Sequence, residues 1–424
     1  MQKIKYQYSY FILPYIVNEN KYSKYIGKLL KDNRITLKKY DKIKDLEVFS
    51  FFDEDFLEYL KYADGISDRD LREGKKDGFQ SLIKQLAEED MTVFEVDLSH
   101  NTQGKLGDES GIFFRIEKTN IVTTKTGVSF LIFKTVIDSD NFADVLNFNY
   151  RFRDLSTDIL EFKKYENIKI QSDTFKEASD LKKVIEELTG LNLEELIKTT
   201  GIDKFYTFSY LCVDNLMWNE QTDFKEIQTA FNKYGEVLPA EFNSEFSDKN
   251  NAMAVIEDLK YSKIAITNLS SNLFSSGLEI HNFTKIPIEY ETTYLYLYIY
   301  TIFQKIFLEK IGREIFETKR YRKAIRDLKY FTANFWGDNI TARDKGIIYF
   351  NKLKLVFDLN NKYNEIQNKV DIVYKESRIE KYYKYSKGIY YFLGGLVGLT
   401  FLNMLILFGG SLWKLYILVL ILLK

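Results

Sequence analysis

Period-two alternation marks the first half of the chain. MTVFEVDL (91–98), GIFFRIEK (111–118) and NIVTTKTGVSFLIFKTVI (120–137) alternate apolar and polar side chains over strand lengths, and Lys125-Thr126-Gly127 interrupts the last run as the turn of a hairpin. DLKKVIEEL and LNLEELIKTT repeat their apolar residues every three or four positions and predict two helices parted by Gly190. FNYRFR (148–153) alternates too, which predicts a strand with Asn149, Arg151 and Arg153 on one face and Phe148, Tyr150 and Phe152 on the other. Two arginines on one strand face suit a phosphate, and salt bridges to neighbours such as Asp154 would use them equally well.

From residue 286 the period changes. IPIEYETTYLYLYIYTIFQKIFLEKIGREIF (286–316) predicts a long helix whose aromatic surface, with Tyr290, Tyr294, Tyr298, Phe303 and Phe307, serves core or subunit contacts. ETKRYRKAIRDLKYF then sets Lys319, Arg322, Lys323 and Arg326 at helical spacing on one side, a little-neutralised basic face that is either solvated or an anion site. Over 344–387 the apolar positions Tyr349, Val356, Leu359, Tyr363, Ile366, Val370 and Val373 follow a three-four spacing, and no proline intervenes. The expectation is a stalk helix, unbroken from about Lys345 to Phe408.

The stalk leads into a stretch without charge. From Gly388 to Trp413 there is no ionisable Asp, Glu, Lys or Arg, and GIYYFLGGLVGLTFLNMLILF (388–408) would form a helix about 31 Å long, matching the hydrocarbon core of a bilayer. Arg378, Lys381, Lys384 and Lys387, offset only by Glu380, orient the preceding end toward the cytoplasm. Gly409-Gly410-Ser411 predicts a break before LWKLYILVLILL, so the segment reads as a hairpin running inside to outside to inside. The alternative is one span followed by an interfacial segment with Trp413, Lys414 and Tyr416 at headgroup level. Thr400 and Asn403 share a helix face, and Gly394, Gly395 and Gly398 permit close helix approach. Two uses follow: hydrogen bonds between helices, or rings of oxygens lining a pore made by several copies.

The expected fold class is therefore α+β. A cytosolic mixed α/β sensor domain covers 1–285, a long-helix and stalk region 286–387, and a transmembrane hairpin 388–424. The expected localisation is multi-pass in the cell inner (plasma) membrane, with the N-terminal domain in the cytoplasm. The opening MQKIKYQYSYFILPYIV is too short in its apolar run and too rich in tyrosine for a signal peptide.

Composition removes several functions. Sixty Lys and Arg against 61 Asp and Glu leave a net charge of −1, so no global field points to direct nucleic-acid binding. A lone Cys212, within FSYLCVDNL, excludes an internal disulfide and reads as a small buried hydrophobe in a reducing compartment. His100 and His281 have no Cys or His at ligand spacing, which argues against zinc. Without a phosphate-binding glycine loop, a nucleophile elbow or an HExxH helix, the chain does not read as an enzyme.

This order of parts, an α/β domain, paired long helices, a stalk continuous with the first span and a short second span, resembles the CorA-like family of divalent cation channels, best over residues 286–424. In that family the first span ends in a Gly-Met-Asn signature at the outer mouth of a pentameric pore. Here the corresponding place reads Phe408-Gly409-Gly410-Ser411, so Gly409 matches while Gly410 and Ser411 replace Met and Asn. The resemblance implies a homo-oligomer, a pentamer, in membrane lipid, with a pore lined by Thr400, Asn403, Gly409, Gly410 and Ser411 and with Mg²⁺ as the ion. A divergent subset of the family accompanies type III CRISPR systems as membrane effectors that respond to a nucleotide second messenger, and the decayed signature and elaborate α/β domain are similar to theirs. That likeness implies an anionic nucleotide ligand, for which Arg151, Arg153, Lys319, Arg322, Lys323 and Arg326 are the candidate contacts. Three functions stand as expectations: a ligand-gated channel in anti-phage defence, a Mg²⁺ or other divalent cation transporter for ion homeostasis, and a non-conducting membrane-anchored binding protein.

Overall fold

The computed structural model of the chain describes residues 3–38, 40, 43–54, 56–57, 76–98, 102–107, 111–156, 168–173, 179–242, 253–315, 321–337 and 340–423. At its centre is β1 (Ile4–Ile16), flanked by β6 (Val128–Ile137) and β9 (Tyr206–Val213), both antiparallel to it. Beyond β6 the sheet continues through β5 (Ile112–Thr123), β4 (Gln103–Leu106), β7 (Ile168–Gln171) and β8 (Ser179–Asp180). A branch of β2 (Ile35–Leu37) and β3 (Thr92–Val96) joins β5 through β3. On the far side of β9 lie β12 (Ser270–Ser276), β11 (Ser262–Ile266) and β10 (Ala254–Leu259), with β12 against β9 the one parallel pairing among the twelve described strands.

The predicted hairpin is β5 and β6. Its turn needs Gly127, which sits at φ 84° and whose absent Cβ would lie 2.4 Å from the carbonyl oxygen of Val17. Val17 N in turn donates to Gly127 O at 2.8 Å, so the close approach is a hydrogen bond that any side chain would obstruct.

Because a sheet alternates, β1 serves two cores. After α1 (Glu19–Leu29) come α2 (Leu46–Phe51) and α3 (Lys76–Glu88); Phe11, Leu13 and Tyr15 face α1, α4 (Phe142–Phe152), α5 (Leu181–Thr189), α6 (Leu193–Thr200) and α7 (Phe224–Glu236) within one buried cluster. Each of these five helices begins on an Asn or Asp whose side chain accepts a backbone N–H of the first turn: Asn18, Asn141, Asp180, Asn192 and Asp223. Gly190, left-handed, ends α5 as the sequence suggests, and Gly201, also left-handed, ends α6. FNYRFR is helix, not strand. It forms the last turns of α4, because the buried set Phe142, Val145, Leu146, Phe148, Asn149 and Phe152 has helical spacing that begins six residues upstream of that window.

The opposite face of β1, with Tyr8, Tyr10 and Ile12, packs under the chain that follows β12. There α8 (His281–Thr284) and α9 (Ile286–Glu289) lead through a π-helical turn (Tyr290–Tyr294) into α10 (Leu295–Ile315). Tyr8 Oη donates to Pro287 O at 2.7 Å, Tyr10 Oη to Glu291 at 2.5 Å, and the rings of Phe208 and Tyr290 stack at 4.1 Å. The aromatic surface expected of this region, Tyr290, Tyr294, Tyr298, Phe303 and Phe307, is all core. The result is three layers, helix on sheet on helix.

The stalk is interrupted. Helix α12 (Asp344–Val356) is itself core, with Tyr349, Phe350 and Leu353 buried and Tyr349 Oη 2.7 Å from Ser271 Oγ. The chain then turns at Asp358 (φ 54°) before α13 (Leu359–Leu422) begins. Phe357, buried beside Tyr206 and Tyr298, fixes the turn by packing rather than by a helix-breaking residue. The apolar stripe that suggested a stalk is buried at Leu359, Ile366 and Val370 and is exposed beyond Val373.

Two compact units result: residues 1–311 with 329–363, and residues 312–328 with 364–424. The first therefore extends past 285 and takes in the sheet, α12, most of α10 and part of a further helix, α11 (Tyr321–Asn334).

Lys305 of α10 is an unusual constituent of the first unit. Its ammonium lies 5.3 Å from the Tyr206 ring and 5.0 Å from that of Phe357, and burial pushes its pKa down to about 8. An unfolded chain holds this proton up to about pH 10.4, so folding stability rises between pH 8 and 10.5 and is penalised below pH 8. Lys305→Met is expected to be more stable at pH 7 by about 2 kcal/mol, the cost of the buried charge less the lost cation–π attraction. Thermal unfolding across pH 7 to about 10.5 should show that advantage vanish as the pH rises.

Candidate functional site

Helix α13 is the feature that a soluble fold does not explain. It contains an 18-residue stretch of mean hydropathy 2.2, none of it buried, and it is the one described helix long and apolar enough to cross a membrane. Leu393, Leu399, Phe401, Leu402, Ile406 and Phe408 are each at least half exposed. Singly exposed apolar residues are ordinary, but a continuous exposed sleeve of this length is not.

No break occurs at Gly409-Gly410-Ser411. All three lie inside the helix, and the Ser411 hydroxyl donates back to Leu407 O at 2.9 Å. The expected hairpin is thus absent from the structure. Two glycines weaken a helix by about 1 kcal/mol each relative to alanine, which permits a turn but does not impose one.

Along the same helix Thr400 and Asn403 differ in their needs. The Thr400 hydroxyl donates to Val397 O at 2.8 Å and is satisfied within its own turn. Asn403 makes no hydrogen bond among the described residues and is exposed. In hydrocarbon an unpaired amide is costly, so Asn403 is the residue that calls for a partner helix. Gly394, Gly395 and Gly398 have nothing within 4 Å of where a Cβ would stand, but Gly394 and Gly398 lie about 140–180° round the helix from Asn403, on a separate face.

The basic candidates do not form one site. Arg151 is exposed on α4, whereas Arg153 caps that helix, is largely buried, and donates to Glu236 O at 3.5 Å. Burial depresses the Arg153 pKa, with Asp154 and two tyrosines beside it. The helical assignment also separates the two side chains that a strand would have aligned.

On α11, Arg322 donates to Tyr321 Oη at 3.1 Å, Lys323 lies 3.1 Å from Glu314 and 3.7 Å from Asp327, and Arg326 lies 3.8 Å from Asp327. This face is more neutralised than its sequence suggests, since Glu314 arrives from α10. Lys319 and His100 lie outside the described residues. Cys212 is a buried free thiol on β9, its pKa pushed up to about 11 by burial, which suits packing rather than reactivity.

None of the candidates read from the sequence lines the cavity between the sheet and α10, where Lys38, Lys118, Asn120 and Tyr296 stand among apolar side chains. Lys118 sits in GIFFRIEK, where simple alternation places it with the core-facing isoleucines and gives no cue to a site.

No protein-family model matches the chain, and neither curated proteins nor solved structures provide a match. The functional reading accordingly rests on this chain's own residues.

Proposed function

We propose that the protein is a membrane-anchored oligomer in which residues 388–408 cross the bilayer and the three-layer α+β unit stands on the cytoplasmic side. The observation that carries this is the uncharged, wholly unburied stretch of α13. The basic residues Lys381, Lys384 and Lys387 just before it support the orientation. A straight helix from Gly388 to Leu422 would measure roughly 50 Å, well beyond a hydrocarbon core of about 30 Å. In lipid we therefore place a bend at Gly409-Gly410-Ser411, with Trp413 and Tyr416, whose rings lie 6.0 Å apart, at the far headgroups and the apolar remainder returning toward lipid.

Asn403 supports assembly. Its amide gains a partner when copies of α13 pack through the face that carries Thr400 and Asn403. The full chain in mild detergent is expected to run as an oligomer, and Asn403→Leu should weaken that assembly several-fold in dissociation constant, corresponding to about 1 kcal/mol per contact. Mass measurement by light scattering checks it; a wild-type monomer would overturn the assembly.

The same residue favours a second reading, a pore in which Asn403 and Thr400 form rings around a path for a hydrated cation. Its measurement is ion flux from liposomes containing the purified chain. Conduction that falls when Thr400 and Asn403 are both changed to Leu supports the pore, and the absence of flux leaves the anchor alone.

A further inference from the structure

We propose that the first compact unit holds a binding site for a small organic oxyanion, a carboxylate or phosphate ester with an apolar body, centred on Lys118 and Asn120 between the sheet and α10. The site is independent of the membrane reading. It is a cavity of about 120 Å³, lined on one side by strands β3, β5 and β6 and on the other by Glu291, Thr292, Leu295, Tyr296 and Ile299.

A local irregularity in β5 puts Lys118 there. Ile112, Phe114 and Ile116 point into the core under α4, and strict alternation would send residue 118 the same way. The pairing with β6 slips between Ile116 and Lys118, after which Ile121 is the core-facing residue. The bulge reverses the parity, and Lys118, Asn120 and Val122 line the cavity together. Bulges commonly re-aim a side chain beside a functional site.

The cavity's charges are otherwise accounted for. Glu291 is held by Lys134 at 2.8 Å and by the Tyr10 hydroxyl at 2.5 Å, Lys38 lies 3.7 Å from Glu95 and over the Tyr40 ring, and Asp45 is engaged as well. Tyr40 Oη donates to Tyr296 Oη at 3.0 Å. Lys118 has no ion pair among the described residues, and the Asn120 amide makes no hydrogen bond, its Oδ1 sealed from solvent.

The sealed Asn120 Oδ1 is an acceptor without a donor, and the Lys118 ammonium and the Asn120 Nδ2–H are donors without an acceptor. An oxyanion spanning the two residues, about 7 Å apart along the strand, supplies it. Burial, with Lys38 adding to it, pushes the Lys118 pKa down, and an arriving anion relieves that penalty. The volume corresponds to about four water molecules, which admits a short-chain acid and not a large cofactor. Val48, Val93, Ile132 and Ile299 furnish the apolar wall for its body.

The experiment uses the full chain in detergent and follows melting temperature against butyrate and butyl phosphate, with sodium chloride at equal ionic strength as control. One or both probes are expected to raise the wild-type melting temperature by several degrees when well above Kd. Which probe acts identifies the headgroup. Lys118→Met should abolish the shift. Asn120→Asp, which supplies Lys118 with an internal carboxylate, should raise the ligand-free melting temperature and abolish the response too. No shift in the wild type, or equal shifts in the wild type and both variants, would overturn the site.

Discussion

Leu399→Arg combined with Leu402→Arg is expected to release the protein from the membrane fraction. Each arginine near the centre of a spanning helix costs about 2.5–3.5 kcal/mol, so the pair opposes insertion by about 6 kcal/mol, a change of about 10⁴ in partition. Both leucines are more than half exposed and touch nothing that would rescue the charges inside the protein. The same two substitutions at Tyr382 and Tyr385, exposed on α13 before the uncharged stretch, should leave localisation unchanged. Sedimentation of lysate followed by immunoblot reads both results. Retention of the Leu399/Leu402 variant in a carbonate-washed membrane pellet would show that α13 is held by something other than lipid.

Phe152→Ala is expected to destabilise the first unit by about 3–5 kcal/mol. Phe152 is fully buried where α4 meets the sheet, its ring centroid 4.3 Å from that of Phe11, 5.3 Å from Phe148, 5.5 Å from Phe114 and 5.9 Å from Phe205. Truncation opens a cavity among four aromatic rings, two from strands β1 and β5, one from the residue just before β9 and one from the helix itself, so no single neighbour can close it. Thermal unfolding should fall by on the order of 10 °C, and Phe152→Leu should recover most of the loss. Membrane partition should not change, because α13 draws on a different solvent. A shift of a degree or two would mean that the helix is not the lid of this core.

The parts of this architecture that could be read from sequence are those whose information is local. The β5–β6 hairpin announced itself through alternation and a glycine turn, and α5 and α6 through spacing and the Gly190 between them. The uncharged run of α13 needed nothing but composition.

Strand β1 was harder because, as the central strand, it is buried on both faces, and YSYFILPYI then carries no alternation to detect. FNYRFR misled because a six-residue window fits either period. The left-handed turn at Asp358 has neither Pro nor Gly, and it is dictated by where Phe357 packs. Among the site candidates, the basic residues of α11 lose their bareness to Glu314, a partner brought by folding. Lys118 gains its position from a bulge that no alternation pattern contains.

The central claim, that residues 388–408 lie in the bilayer with the α+β unit on the cytoplasmic side, is tested most directly by cysteine accessibility in sealed membrane vesicles. Cys212 is buried and stays silent, so single cysteines can be placed at Lys384 and Leu402 of the chain. With a membrane-impermeant maleimide, Lys384→Cys should label only in vesicles whose cytoplasmic face is outward, and Leu402→Cys in neither orientation until detergent is added. Rapid labelling of Leu402→Cys in intact vesicles would contradict the account.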